Sequence, residues 1–218
     1  SDLASSGDVI IASQGAITVG GQSYIDTGTS GDGRSGEIRL EGSSVTIDEE
    51  SYISTSSYGN GSAGDLIVTG NTVSIKDSFL ETSTSGSGDA GNIMIESPGT
   101  VSVFGLAYIS SDTWGDGNAG DISVAGSDVV VQGSSYISTD TLGTGSAGSI
   151  LLKGDQVTIA ENAFVTSDTY AEGQGGSVSL MGSELVRIAD DSYVSSEAMG
   201  SGMAGNISIS GGEVEIEN

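Results

Sequence analysis

The chain has 218 residues, of which 30 are acidic and only 5 basic, and it contains neither histidine nor cysteine. The formal net charge of -25 excludes nucleic acid as a partner, because binding to phosphates requires a basic surface. The lack of cysteine excludes disulfides and thiolate metal sites, and no apolar run is long enough to give a transmembrane segment.

A unit of about 28 residues repeats along the whole sequence. Residues 119–146 read AGDISVAGSDVVVQGSSYISTDTLGTGS, and the same pattern returns 28 residues later. A fixed period of this length is typical of repeat architectures. A glycine opens each unit at steps of 27 to 29 residues, at Gly7, Gly36, Gly64, Gly91, Gly120, Gly148, Gly176 and Gly205.

Each unit contains three short segments in which apolar and polar residues alternate, as in a β-strand with one buried face. Examples are DLIVTG (65–70) for the first segment, TVSIKD (72–77) for the second and SYISTS (51–56) for the third. Turn-forming residues separate the segments, and no window has a helical period. Three short strands cannot bury a core alone, so each must pair with its counterpart one unit away.

The sequence therefore predicts an all-β fold: a right-handed parallel β-helix (β-solenoid) with three short strands per coil and about eight coils. Residues 1–218 form a single β-helix repeat domain in this interpretation, and both ends are cut mid-coil. We expect the sequence to be a portion of a longer shaft. The alternative is that the open ends stack on other copies of the chain.

The third segment carries two neighbouring apolar columns, which must face opposite sides of the strand. We expect the aliphatic column to point inward: Ile25, Ile53, Leu80, Ile109, Ile137, Val165 and Val194. The aromatic column would then form an exposed ladder of stacked rings. It contains Tyr24, Tyr52, Phe79, Tyr108, Tyr136, Phe164 and Tyr193. Such a ladder is either structural or a surface for glycan stacking or self-assembly.

The loop after the third segment is rich in glycine but carries large side chains at its first position. Tyr58, Trp114 and Tyr170 are the aromatic examples, and Leu142 and Met199 are aliphatic ones. These side chains either cover the rod locally or form a contact stripe for a glycan or a protein.

An acidic column follows the third segment, with Asp112, Asp140, Asp168 and Glu197 at the same position in four successive units. Carboxylates one coil apart repel each other, so a bound cation is one explanation, and oxygen ligands suit calcium. The alternative is a solvated acidic face screened by salt. A second column of acids and amides opens the first segment, at Asp8, Glu37, Asp65, Asn92, Asp121 and Asn206.

A column of small hydroxyl residues lies beside the acidic column. It contains Thr27, Thr55, Thr82, Ser111, Thr139, Ser167 and Ser196, and we expect these hydroxyls to hydrogen-bond to one another along the rod. An exposed Thr-x-Thr array, as at Thr139 and Thr141, would also suggest ice binding, although the intervening acids interrupt it.

The sequence gives no sign of a catalytic site. The five basic residues share no column, and each carboxylate belongs to a repeating series instead of a singular cluster. We therefore expect no catalytic residues and no enzyme activity.

The runs GNAGDISV (117–124) and SSYISTDTLGTGSAG (134–148) resemble the repeats of filamentous haemagglutinin-like exoproteins of the two-partner secretion type. The likeness covers essentially all of the chain and is strongest to large surface proteins of cyanobacteria and other Gram-negative bacteria. It implies an extracellular or cell-surface location, secretion through an outer-membrane partner, and a role in adhesion or surface coating. The amino-terminal secretion domain of that family is not part of this sequence.

These observations together favour a non-catalytic structural or adhesive shaft of a secreted surface protein, with a glycan or protein of a host or neighbouring cell as its partner. Two alternatives remain open. One is a self-assembling filament subunit that stacks end to end or laterally, and the other is a calcium-dependent glycan-binding module.

Overall fold

The computed structural model describes residues 4–217, which form a β-solenoid of short parallel strands. No helix occurs in this range. Accordingly, residues 4–217 include no helix that has the length and apolar character needed to cross a membrane. The all-β, parallel architecture that the repeat predicts is confirmed.

Each coil has a first, a second and a third strand position. The first position is occupied by β1 (Val9–Ala12), β4 (Ile38–Glu41), β7 (Leu66–Thr69), β10 (Ile93–Glu96), β13 (Ile122–Ala125) and β20 (Ile207–Ser210). The second is occupied by β2 (Ala16–Val19), β5 (Ser44–Ile47), β8 (Val73–Lys76), β11 (Thr100–Phe104), β14 (Asp128–Val131) and β21 (Glu213–Ile216). The third is occupied by β3 (Tyr24–Asp26), β6 (Tyr52–Ser54), β9 (Phe79–Glu81), β12 (Tyr108–Ser110), β15 (Tyr136–Ser138), β17 (Phe164–Thr166) and β19 (Tyr193–Ser195).

Two strands differ from this scheme. β16 (Ile150–Ile159) and β18 (Val178–Ile188) run through both the first and second positions of their coils without a break. Gly154 pairs with Gly182 at the corner, so the ladder between these two coils continues around the bend and contains one irregularity, between Gly154 and Gln156. The prediction of two separate strands is therefore wrong for these two coils.

All strand pairs are parallel and in register. The first and second positions form one sheet of 14 strands, in which β16 and β18 join the two series. The third positions form a sheet of seven strands, in the order β19-β17-β15-β12-β9-β6-β3. The third strand thus occurs seven times, so the stack makes about seven complete turns. The eight opening glycines mark eight coils because the last coil, which has no third strand within residues 4–217, is partial.

The interior is one continuous apolar core built from every second residue of each strand. Ile38, Leu66, Ile93, Ile122 and Ile150 at the first position are at most 1% exposed, although they lie in five different coils. The aliphatic column of the third strand also points inward, with Ile53, Leu80, Ile109, Ile137 and Val165 fully buried and Ile25 and Val194 partly buried. That part of the prediction is confirmed.

The opening glycines are required by the close approach of successive coils. A Cβ atom at Gly120 would lie 2.1 Å from the carbonyl oxygen of Gly91, and one at Gly148 would lie 2.0 Å from that of Gly120. No side chain fits at such a distance, which explains why glycine recurs at the step of the repeat.

Candidate functional surface

The aromatic column of the third strand lies on the outside of the solenoid and forms a ladder of seven rings. Tyr24 stacks on Tyr52 with ring centroids 5.2 Å apart and an interplanar angle of 3°, and Tyr108 stacks on Tyr136 at 5.2 Å and 7°. The other neighbouring pairs are tilted or edge-to-face, with centroids 4.5 to 6.5 Å apart. The predicted outward ladder is therefore present, although not all of its rings are parallel.

Phenol groups tie the ladder to the coil that follows. The hydroxyl of Tyr136 lies 2.9 Å from that of Thr166, and the hydroxyl of Tyr52 bonds to the carboxylate of Glu81. Burial raises the pKa of Tyr108 to about 12, so this phenol stays protonated at neutral pH. Since each of these hydrogen bonds joins two coils, the ladder stabilises the third-strand sheet and also forms an exposed aromatic surface.

The large loop side chains form a second exposed stripe, parallel to the ladder. Trp114 is 62% exposed, Tyr58 60%, Met199 58%, Tyr170 46% and Leu142 41%. The backbone N–H of each loop residue bonds to a threonine carbonyl one coil earlier, as in Trp114 to Thr84 at 2.9 Å. The loops are thus stacked in register, and their apolar side chains are available for contact. The glycan, protein or self-assembly role of the two stripes stays a prediction.

The acidic column lies four residues beyond the ladder. Asp112 and Asp168 are only 9% and 6% exposed, Asp140 is half-buried and Glu197 is exposed. Burial raises the pKa of Asp112 to about 6. Burial and the neighbouring charge of Asp112 raise the pKa of Asp140 to about 7. The interpretation as a solvated acidic face is therefore wrong for Asp112 and Asp168.

The carboxylates in this column have a structural role. The Oδ1 atom of each aspartate accepts the backbone N–H of the acidic residue in the next coil. The bonds measure 2.9 Å from Asp140 to Asp112, 3.2 Å from Asp168 to Asp140 and 2.8 Å from Glu197 to Asp168. Each carboxylate thus caps a backbone N–H group of the next coil along the chain.

The same contact recurs in the column that opens the first strand. The N–H of Asn92 bonds to Asp65 Oδ1 at 2.8 Å, and that of Asp121 bonds to Asn92 Oδ1 at 2.8 Å. Ser149 continues the series by donating to Asp121 at 2.7 Å. Aspartate and asparagine alternate here without loss of the bond, because both carry a suitable acceptor oxygen. Capping of the next coil is therefore a role that the two columns share.

Metal binding receives no direct support from this geometry. In the part of the chain that the structure describes, no three acidic side chains converge in an arrangement that could hold a metal ion. Calcium at Asp112, Asp140, Asp168 and Glu197 stays a prediction.

The hydroxyl column does not form the predicted ladder along the rod. Its members point inward: Thr139 Oγ1 donates to the carbonyl of Gly148 at 2.6 Å, and Thr55 Oγ1 donates to that of Gly64 at 2.5 Å. Ser111 lies between two opening glycines, donating to Gly91 and accepting from the N–H of Gly120, both at 2.8 Å. Thr139 and Thr141 are fully buried, so an exposed Thr-x-Thr array for ice binding is absent at this pair.

A lateral groove of about 950 Å³ lies at the corner between the second and third strand positions. Tyr52, Phe79 and Leu106 are its large apolar lining residues, and Glu49 and Glu50 are among its acidic ones. The groove is not apparent from the repeat pattern, although the sequence contains one signal for it. The third corner has three residues between Ile75 and Phe79, whereas the corners before and after it have four.

Comparison of the chain with known protein families, with curated proteins and with solved structures found no match. The resemblance to filamentous haemagglutinin-like repeats therefore stays an expectation. What defines the chain is its architecture: an acidic parallel β-solenoid with two lateral apolar stripes and a corner groove.

Proposed function

We propose that the chain is a non-catalytic structural shaft of a secreted bacterial surface protein. The shaft projects from the cell surface or coats it, and it adheres to its partner through its lateral face. The observation that carries the proposal is the in-register stack itself. Within residues 4–217, three strand columns, a single apolar core and several capping columns continue from coil to coil, and no folded insertion interrupts them. A stack of this kind gains length and stiffness with each added coil, since its stability arises between neighbours.

The two lateral stripes are the surface through which such a shaft would adhere. The ladder and the loop stripe both run parallel to the axis and repeat at the spacing of the strands, roughly 4.8 Å. Tyr24, Tyr58 and Trp114 each expose about 60% of their surface or more. A repeating aromatic surface suits an extended partner, such as a glycan chain or a second solenoid, better than a compact one.

The location is tested by immunogold labelling of intact and permeabilised cells that express the natural protein, with an antibody raised against this chain. The proposal predicts labelling on intact cells, and labelling confined to permeabilised cells would overturn it.

The adhesive role is tested with beads coated with the chain, whose binding to cells should fall when Tyr58, Trp114 and Tyr170 are replaced together by serine. A triple serine variant at Asn60, Asp116 and Glu172, which are exposed and lie two residues further along the same three loops, serves as the matched control.

Lateral self-assembly is a second candidate, favoured by the exposed side chains of the loop stripe. Tyr58, Trp114 and Met199 are 60%, 62% and 58% exposed. A second copy of the chain could cover these side chains by packing its own loop stripe against them. Sedimentation velocity over a range of concentrations, with and without millimolar calcium, tests this candidate. Growth of the particle with concentration supports it, and a constant monomer in both conditions excludes it.

A further inference from the structure

The groove at the third corner arises from a shortened connection. Residues 76–78 join Ile75 to Phe79, whereas residues 48–51 and 104–107 make the corresponding connection in the coils on either side. Because Ile75 and Phe79 stay in register with both neighbouring coils, the shorter connection must take a flatter path across the corner. A recess is therefore left between the corners that precede and follow it.

The walls of the recess are aromatic and aliphatic. The ring centroids of Tyr52 and Phe79 lie 6.1 Å apart, and Phe79 is 39% exposed. Leu106 is 68% exposed, at a corner position where the other coils carry a polar residue. Asp77 Oδ1 accepts the N–H of Leu106 at 2.9 Å, which fixes the position of this loop. Leu106 is therefore an exposed apolar side chain, fixed by its backbone in the same groove as the two rings.

The charge around the recess is negative. Asp48, Glu49, Glu50 and Asp77 face a single cation, Lys76, whose ammonium lies 3.9 Å from Asp48 and 3.6 Å from Asp77. Lys76 thus balances part of the negative charge, and the charges of Glu49 and Glu50 remain unbalanced. Gln22 Nε2 donates to Glu50 at 2.9 Å and orients this carboxylate. Anionic ligands are therefore disfavoured at this site, and cations are attracted.

We propose that this groove binds an organic ammonium group, with Tyr52 and Phe79 facing the cation, Leu106 contacting its methyl or methylene groups, and Glu49 and Glu50 balancing its charge. Aromatic faces attract ammonium groups, and the attraction is greatest for ligands that can shed part of their hydration, such as quaternary ammonium. The site includes two rings of the ladder, Tyr52 and Phe79, but it requires neither the role of the shaft nor adhesion through the two lateral stripes.

The test is an NMR titration of the whole isotope-labelled chain with choline at low salt, followed at the backbone amides of Asp77 and Leu106. Its neutral isostere 3,3-dimethylbutan-1-ol, which has the same shape without the charge, is titrated in parallel. We expect saturable shifts confined to the groove, and affinity for choline at least about fivefold above that for the isostere. Equal affinity for the two compounds, or shifts spread along the whole aromatic ladder, would overturn the proposal.

Two variants and their matched controls assign the contacts. The double variant Glu49→Gln with Glu50→Gln should weaken choline binding at least about fivefold, since it removes the two balancing charges. Asp190→Asn with Asp191→Asn changes the equivalent pair in a coil without the shortened corner, and it should leave binding unchanged. Phe79→Leu should also weaken binding, whereas Phe164→Leu in the same ladder should not. Loss of affinity in a control as large as in its test variant would contradict the assignment.

Discussion

Oδ1 of Asp112 accepts the backbone N–H of Asp140, its counterpart one coil further along, at 2.9 Å. The bond explains how like charges can stack without a bound cation: each carboxylate satisfies a donor of the next coil, and burial raises the pKa values toward neutrality. Electrostatic cost and structural gain thus arise from the same side chains.

The acidic column should make the protein more stable in mild acid than in mild alkali. The pKa of Asp112 rises from its ordinary value of 3.8 to about 6 on folding, and that of Asp140 to about 7. The folded state therefore binds more protons than the unfolded state between about pH 4 and pH 7, so this contribution to stability is lost as the pH rises through that window. Urea denaturation at a series of pH values measures the effect. A free energy of unfolding that increases from pH 5 to pH 8 would contradict it.

Asp112→Asn should stabilise the protein at pH 8 by about 1 to 3 kcal/mol, because the amide oxygen still accepts the N–H of Asp140 while the buried charge is removed. The gain should shrink toward pH 5, where Asp112 is already protonated. Asp116→Asn, at an exposed loop position of the same coil, is the control and should change stability by less than about 0.5 kcal/mol. Urea denaturation of both variants at the two pH values checks this, and a destabilised Asp112→Asn variant at pH 8 would refute the account of the column.

Two buried threonines two residues apart should respond oppositely to replacement by valine. Thr139 Oγ1 donates to the carbonyl of Gly148 at 2.6 Å, and Ser167 donates to the same carbonyl at 2.7 Å, so Thr139→Val should cost about 0.5 to 1.5 kcal/mol by removing one of these two bonds. Thr141 Oγ1 is buried without a hydrogen-bond partner, so Thr141→Val should be neutral or stabilising. Chemical denaturation of both variants at pH 7 gives the comparison. Equal costs at the two positions would show that the hydroxyl bonds do not decide stability.

A methyl group at an opening glycine should disrupt the stack. Gly120→Ala would place Cβ 2.1 Å from the carbonyl oxygen of Gly91, a contact that separates two coils or bends the backbone. We expect a loss of roughly 3 kcal/mol or more. At Gly7, a Cβ atom would have nothing within 4 Å, so Gly7→Ala should be nearly neutral. Thermal melting followed by circular dichroism distinguishes the two, and similar melting temperatures would contradict the close stacking.

The repeat made most of the fold predictable. The period locates every coil, and the alternation at Tyr108 and Ile109 correctly separates the outer column from the inner one. The columns beside them were harder to interpret. Asp112 and Thr139 are polar, so their burial could not be inferred from hydropathy, because it depends on hydrogen bonds to backbone groups of other coils. The groove depends on one missing residue at the third corner, a feature that the average repeat conceals.

The most direct test of the shaft is to lengthen it. Tandem duplication of residues 120–175 inserts two further coils in register, and small-angle X-ray scattering then compares the maximum dimension of the longer chain with that of the parent. The account predicts an increase of roughly 10 Å, two strand spacings, with no loss of thermal stability. An unchanged dimension, or a chain that no longer folds cooperatively, would contradict a modular stack whose function is its length.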